Sequence, residues 1–183
     1  MKNYVVSVIL ILFLASPLFG QSADEKRVTF RTALVAHALT YNLDKQNGAG
    51  FHFGQFSTEI NEDNVETLEK IFYGFNYAYG FDCINCDSYF VVTFLNNGSS
   101  GIITDDGSTY TYSGWGLSVV GGYSWYFEND ISVILGTGPA YSSESKESEN
   151  IKSDKGFGKD ADKRVEKLSF LPLVPLLFVG FSF

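Results

Sequence analysis

The sequence predicts an all-β fold: an antiparallel, up-and-down transmembrane β-barrel of eight strands. Three observations lead there. Aromatic residues make up 16 % of the chain, with 17 Phe and 11 Tyr beside 18 Gly. That balance suits strands with bulky side chains on one face and small ones on the other. The stretch from Thr109 to Ser142 alternates large and small residues on either side of a tight turn. The chain also stops on its most apolar segment, which ends in Phe183. A terminus left in water would fray, so a greasy terminal strand needs a partner or a lipid environment.

Taken in order, residues 1–20 read as a secretory signal peptide. Lys2 provides the positive start, and residues 5–14 form an apolar core too short to span a bilayer as a helix. Cleavage is expected after Gly20, and no Cys follows the core to carry a lipid anchor. An uncleaved anchor helix is the alternative. The mature chain, residues 21–183, is expected to be one barrel with a long outer loop at about residues 144–167.

Residues 28–41 read as one strand by length and β-branching, although its two faces differ little. The run from Asp44 to Gly48 is a turn signal, residues 51–58 a second strand, and Asn61 to Asn64 a break. Residues 68–81 are clearer. Ile71, Tyr73, Phe75, Tyr77, Tyr79 and Phe81 share one face, and Phe72, Gly74, Asn76, Ala78 and Gly80 share the other. Residues 88–96 make a further strand, ended by the turn-like run Asn96 to Ser100.

Residues 109–127 carry the strongest pattern. Trp115, Leu117, Val119, Tyr123, Trp125 and Phe127 point one way, while Tyr112, Gly114, Gly116, Ser118, Val120, Gly122, Ser124 and Tyr126 point the other. Glu128 to Asp130 turns the chain. Residues 131–142 return with Ile131, Val133, Leu135 and Tyr141 outward and Ser132, Gly136, Gly138, Ala140 and Ser142 inward. Strands of about ten residues with this alternation suit a tilted crossing of a bilayer. Trp125 and Phe127 read as a girdle at one interface, joined by Phe183.

Residues 144–167 hold seven acids and seven bases and few apolar residues. They read as a mobile loop that cannot cross lipid. Seven strands are clear. Parity requires an even number if both ends lie on one side, and the weak segment 101–104 is the candidate eighth.

The last strand places Leu171, Leu173, Pro175, Leu177, Val179 and Phe181 on one face. Phe170, Pro172, Val174, Leu176, Phe178, Gly180 and Ser182 lie on the other. Pro172 and Pro175 remove ladder donors and point to a bulge or a rim. Phe170, Val174, Leu176 and Phe178 are then lumen-lining candidates, with Tyr112 and Tyr126. Such an apolar lumen suits either a pocket for hydrophobic molecules or plain filling of a narrow barrel.

Cys83 and Cys86 are the two cysteines. A local disulfide is the expected reading, with redox and metal sites as alternatives. His37 and His52 are the two histidines. A catalytic reading would set His52 against Ser57 or Glu59, yet no hydrolase signature surrounds it. No catalytic residue, metal site or cofactor is therefore expected. The acids at Glu62, Asp63 and 105–106 read as solvated turns rather than Ca²⁺ sites. A net charge of −8 argues against nucleic acid as a partner.

An export signal followed by a final strand ending on Phe resembles the small bacterial outer-membrane β-barrels of the OmpA-domain, OmpX and OmpW type. That resemblance implies a monomer in the bacterial outer membrane with a periplasmic C-terminus. It implies as partners membrane lipid, lipopolysaccharide, the assembly machinery that reads the terminal strand, and extracellular ligands at the outer loops. The role it implies is non-enzymatic, structural or surface-interacting. The alternatives are a narrow conduit or binding barrel for small hydrophobic molecules, and a lipid A-modifying enzyme. A soluble secreted β-protein is the competing architecture.

Overall fold

In the computed structural model of the chain, residues 27–62, 64–152 and 157–183 are described. The expected signal peptide lies outside them. Eight antiparallel strands follow one another around a closed ring: β1 (Val28–Thr32), β2 (Ala36–Asn42), β3 (Asn47–Glu62), β4 (Val65–Gly80), β5 (Ser88–Thr104), β6 (Thr109–Tyr126), β7 (Ile131–Asn150) and β8 (Phe170–Ser182). β1 closes the ring against β8, from Thr29 opposite Ser182 to Thr32 opposite Val179. One helix, α1 (Gly158–Leu168), stands between β7 and β8. Among the described residues no helix is long and apolar enough to cross a membrane.

The count of eight stands, for a different reason than the sequence suggests. Residues 28–41 form a hairpin, with Ala33 N–H bonded to the Ala36 carbonyl at 2.8 Å. Its tip, Leu34 and Val35, is apolar and exposed and holds no Gly, Pro or Asn to signal a turn. Residues 101–104 belong instead to β5. The run Asn96 to Ser100 pairs without interruption to both β4 and β6. Polar, small residues signal a turn only when they lack partners, and here they have ladders on both sides.

Of the segment expected as a mobile loop, residues 144–167, positions 144–152 and 157–167 are described, and most of them lie in a strand or a helix. β7 continues to Asn150, paired with Thr109 of β6. Residues 158–167 lie in α1. Charged residues can extend a strand where its outer face meets water rather than lipid, and they do so here.

Two zones result. Around the half of the barrel nearer the termini, outward side chains form an apolar belt. It includes Phe51, Phe53, Ile71, Tyr73, Phe75, Leu95, Trp115, Leu117, Leu135, Leu177 and Val179, all exposed. Trp115 to Trp125 spans ten residues of β6. At about 3.3 Å per residue and a tilt near 40°, that is roughly 25 Å of height, the apolar band of a membrane barrel. At the terminal rim Tyr123 packs on Trp125 and Tyr89, and Tyr79 on Phe81. At the other rim Trp115 packs on Tyr141 with ring centroids 5.6 Å apart. Inside this zone small and polar buried residues, Thr29, Thr40, His52, Asn76, Ser88, Ser124, Ser132 and Ser182, are interleaved with the apolar Val92, Val120, Ile134 and Phe178.

Past the far rim the pattern inverts. The outward positions become Gln55, Ser57 and Glu59 on β3, Ser99 on β5, Ser113 and Thr111 on β6, and Ser143 and Ser145 on β7. The inside becomes an ordinary apolar core of Val65, Leu68, Ile102, Tyr110 and Tyr112, with Phe56 and Ile60 packed against it. α1 seats Ala161, Val165 and Leu168 into that core. Strands of 16 to 20 residues therefore overshoot the belt and build a water-facing extension plugged by a helix.

Candidate functional site

Inside the barrel, beneath α1, lies a cavity of about 320 Å³. Such a volume sits at the low end of small-molecule pockets, roughly 300–1,000 Å³. Val120, Val174, Leu176 and Phe178 contribute apolar surface to its wall, and Leu168 of α1 closes it from above. Gly98, Gly114, Gly116, Ser118 and Ala140 make the space: the wall is thin where these small residues face inward.

Two polar groups break the apolar lining. Lys70 Nζ meets Glu144 Oε1 at 2.6 Å across the lumen, with the carboxylate side chain only 7 % exposed. The His52 ring Nε2 is hydrogen-bonded to Asn96 Oδ1. Both bonds join residues on different strands, so they fix the width of the lumen here. A buried pair of this kind contributes little net stability, but losing one partner strands the other charge.

The wall is lowest on one side. β2 pairs with β3 only as far as Ala36 opposite Gly54. β8 pairs with β1 only as far as Val179 opposite Thr32. Beyond those points β3 and β8 share no ladder, and the hairpin tip at Ala33, Val35 and Ala36 borders the cavity in the gap between them. This notch meets the apolar belt on its β8 side, where Leu173 and Leu177 are exposed.

Below the cavity the lumen narrows to a second space of about 40 Å³. Phe94, Leu176 and Phe178 border both spaces. The terminal mouth beneath is plugged by the loop between β4 and β5. Cys83 and Cys86 are disulfide-bonded, with Cα atoms 5.6 Å apart. The loop hangs from Ile84 N–H to the Lys45 carbonyl at 2.9 Å. It turns Ile84 toward the cluster of Ala78, Val92 and Val120. Asn85 is buried beside it, its Oδ1 accepting from Thr29 at 3.2 Å and Ser182 at 3.3 Å. This inward fold of the loop could not be read from the spacing of the cysteines.

Of the lumen candidates named from sequence, Val174, Leu176 and Phe178 line the cavity. Phe170 does not. It is 57 % exposed and opposite the outward-facing Tyr141. A β-bulge between Gly138 and Ala140 explains the error: Pro172 and Leu173 together oppose Pro139, so the inside-outside phase flips. Leu171 takes the lining position instead. The two prolines were the available signal for that slip. Tyr112 lies higher, in the extension, and donates to Asp162 of α1 at 2.7 Å. Tyr126 lies at the terminal rim, where its hydroxyl donates to Asp130 at 3.1 Å. Trp125 and Phe127 are exposed at that rim, and Phe183 exchanges backbone bonds with Val28.

The histidines do not assemble a hydrolytic site with the residues considered for it. His52 faces inward, whereas Ser57 and Glu59 sit at odd positions of the same strand and face outward. His37 is on the outside of the barrel, stacked between Phe30 and Phe53, with Thr32 Oγ1 2.8 Å from its Nδ1. Among the described residues no group of three His, Cys, Asp or Glu side chains is placed to hold a metal ion.

No protein-family model matches this sequence, and no curated protein matches it either. Among solved structures it is similar to a major outer membrane protein from Thermus thermophilus. The TM-score is 0.51 and the identity 13 %, over 85 % of this chain and 97 % of that one. At that identity the likeness is one of fold, and the fold is an up-and-down, eight-stranded antiparallel barrel.

Proposed function

We propose that this chain is a non-enzymatic outer-membrane β-barrel that holds a small hydrophobic molecule in a blind cavity. The membrane setting is supported by the continuous outward belt about 25 Å tall with aromatics at both rims, and by the likeness to an outer membrane protein. The observation that carries the binding role is the 320 Å³ cavity itself, mostly apolar and kept open by small residues. A barrel needing only stability would fill that space with side chains. The blind floor, plugged by the disulfide loop, favours binding over conduction through the pore. In this reading the ligand enters through the notch above the β1–β2 hairpin.

In the same reading the termini face the periplasm and the barrel inserts as a monomer through its terminal strand. The water-facing extension with α1 then projects outward among lipopolysaccharide, where it meets extracellular ligands.

The test uses the protein in lipid nanodiscs with isotope-labelled Leu and Val methyls and n-octanol as the probe. Saturable shifts are expected at Leu171, Val174 and Leu176, and Val174→Trp is expected to abolish them. Shifts confined to the outward Leu173 and Leu177 would mean surface partitioning and would refute the cavity as a binding site.

A further inference from the structure

We propose that the narrow space beneath the cavity is an anion site, in which Arg31 and Asn76 take the carboxylate head of an amphiphile whose tail fills the cavity above. The tail half rests on the binding role just proposed; the anion half stands on the residues below.

Arg31 is on the inward face of β1, opposite Gly180 of β8. That glycine gives the arginine its course: a Cβ there would lie 3.4 Å from Arg31 Cγ and 2.3 Å from Ser132 Oγ. The guanidinium reaches Thr40, with Nη1 donating to Oγ1 at 2.9 Å. Thr40 Oγ1 in turn donates to Asn76 Oδ1 at 3.1 Å. Arg31 Nε and Asn76 Nδ2 are then left buried with no partner. Both residues border the 40 Å³ space. Two N–H donors without partners in one small space call for an acceptor, because each unsatisfied buried donor costs about 1–3 kcal/mol.

Charge says which acceptor. No ion pair joins Arg31 to a carboxylate among the described residues. Of the side chains bordering the two spaces, Glu144 alone is acidic, and Lys70 already pairs with it. The lumen thus carries one uncompensated positive charge. Water would satisfy the donors but not the charge, and a buried charge without a counter-charge is strongly unfavourable. The volume of the space, about 40 Å³, exceeds the roughly 10–15 Å³ that a single water needs, which leaves room for a small polar head. A carboxylate fits the planar guanidinium and presents two acceptor oxygens to two donors.

The tail follows from what adjoins the site. Phe94, Leu176 and Phe178 border both spaces, so a head on Arg31 leads past these side chains into the apolar cavity. At about 30 Å³ per water-sized group, 320 Å³ accommodates a chain of roughly ten heavy atoms.

The experiment compares octanoate, octanol and acetate on the full mature barrel in nanodiscs, with empty nanodiscs as the blank. Octanoate is expected to bind at least tenfold more tightly than octanol. Arg31→Gln should erase that preference, and Arg31→Lys should keep most of it. Heat-modifiable gel migration checks that each variant folds. Independently of any variant, carboxyl-labelled octanoate on the unaltered protein should show a shifted resonance and contacts to the Arg31 side chain. Equal binding of octanoate and octanol would overturn the anion site and leave the cavity standing. Binding of neither would overturn the cavity role as well. Acetate matching octanoate, with octanol unbound, would overturn the tail and leave a site for small free carboxylates.

Discussion

The Asp162 carboxylate accepts from Tyr112 at 2.7 Å and from Lys146 Nζ at 3.0 Å, so one side chain ties α1 to both β6 and β7. Its partial burial works against ionisation, but the Tyr112 bond and the Lys146 charge outweigh that and hold its pKa below the ordinary 3.8. Burial likewise works against the Lys146 charge, but Asp162 overcomes it and holds the amine above its ordinary 10.5. Burial, then the Asp162 bond, keeps the Tyr112 phenol protonated. A depressed carboxylate gives stability above its unfolded pKa that vanishes as pH falls through the folded value. A raised amine gives stability below its unfolded pKa that vanishes as pH rises. Docking of α1 should therefore be tightest between about pH 4 and pH 10 and loosen outside that window. A spin label at position 163 should report this as a mobile component growing below pH 4. Tyr112→Phe should raise that component at neutral pH about five- to thirteenfold, for a lost bond of about 1–1.5 kcal/mol. A spectrum flat with pH would show that the apolar contacts alone hold the helix. The disulfide acts just as locally. Its closed loop is so short that chain entropy gives at most about 2 kcal/mol. Cys83→Ser with Cys86→Ser should barely move global unfolding, yet it should speed amide exchange at Ile84 and Asn85 far more than in β6. Uniform acceleration across the barrel would make the staple a global one instead.

At the scale of elements, what the sequence discloses depends on how many environments a segment meets. β6 and the first half of β7 turn an exposed apolar belt outward and a crowded lumen face inward. Trp115 and Leu117 therefore separate cleanly from Gly116 and Ser118. β7 past Tyr141 has water outside, so Ser143 and Ser145 look like loop and charge count misleads. α1 hides for a related reason. Ala161, Val165 and Leu168 recur at helical spacing, but they are three apolar residues among charges. Their partner surface comes from Val65, Leu68 and Ile102, far away in sequence. The β1–β2 turn is missed because Leu34 and Val35 look like strand. The proposed anion site is hidden in the sequence because Arg31 of β1 and Asn76 of β4 are linked only through Thr40 of β2 once the sheet curls. If α1 is a cap on a self-sufficient cylinder, replacing residues 158–168 with a Gly-Ser linker should leave the barrel folded and heat-modifiable. The eight ladders do not pass through it. The exposed Val65, Leu68 and Tyr110 should then promote association of the variant in detergent. Loss of heat modifiability would instead make α1 part of the folding unit.

The whole molecule is a cylinder closed twice, by unlike means. At the far end α1 sits in an apolar core, where its hold depends on hydrophobic contact and the Asp162 bonds. At the terminal end the disulfide loop inserts Ile84 and Asn85, while Arg31, Thr40 and Asn76 cross the lumen just above. Only 40 Å³ is left there, against 320 Å³ above. The narrow closure, not the cap, should therefore set the resistance to ions. In planar bilayers the intact chain should give no steady ohmic current, and removing α1 should not create one. Current should arise when the floor is also opened, by deleting residues 82–87 in the variant without the helix. An anion preference would then be expected from the charge of Arg31, lost on Arg31→Gln. A stable current through the intact chain, or one produced by removing α1 alone, would place the constriction above the cavity. It would make the barrel a gated conduit rather than a vessel with one side door.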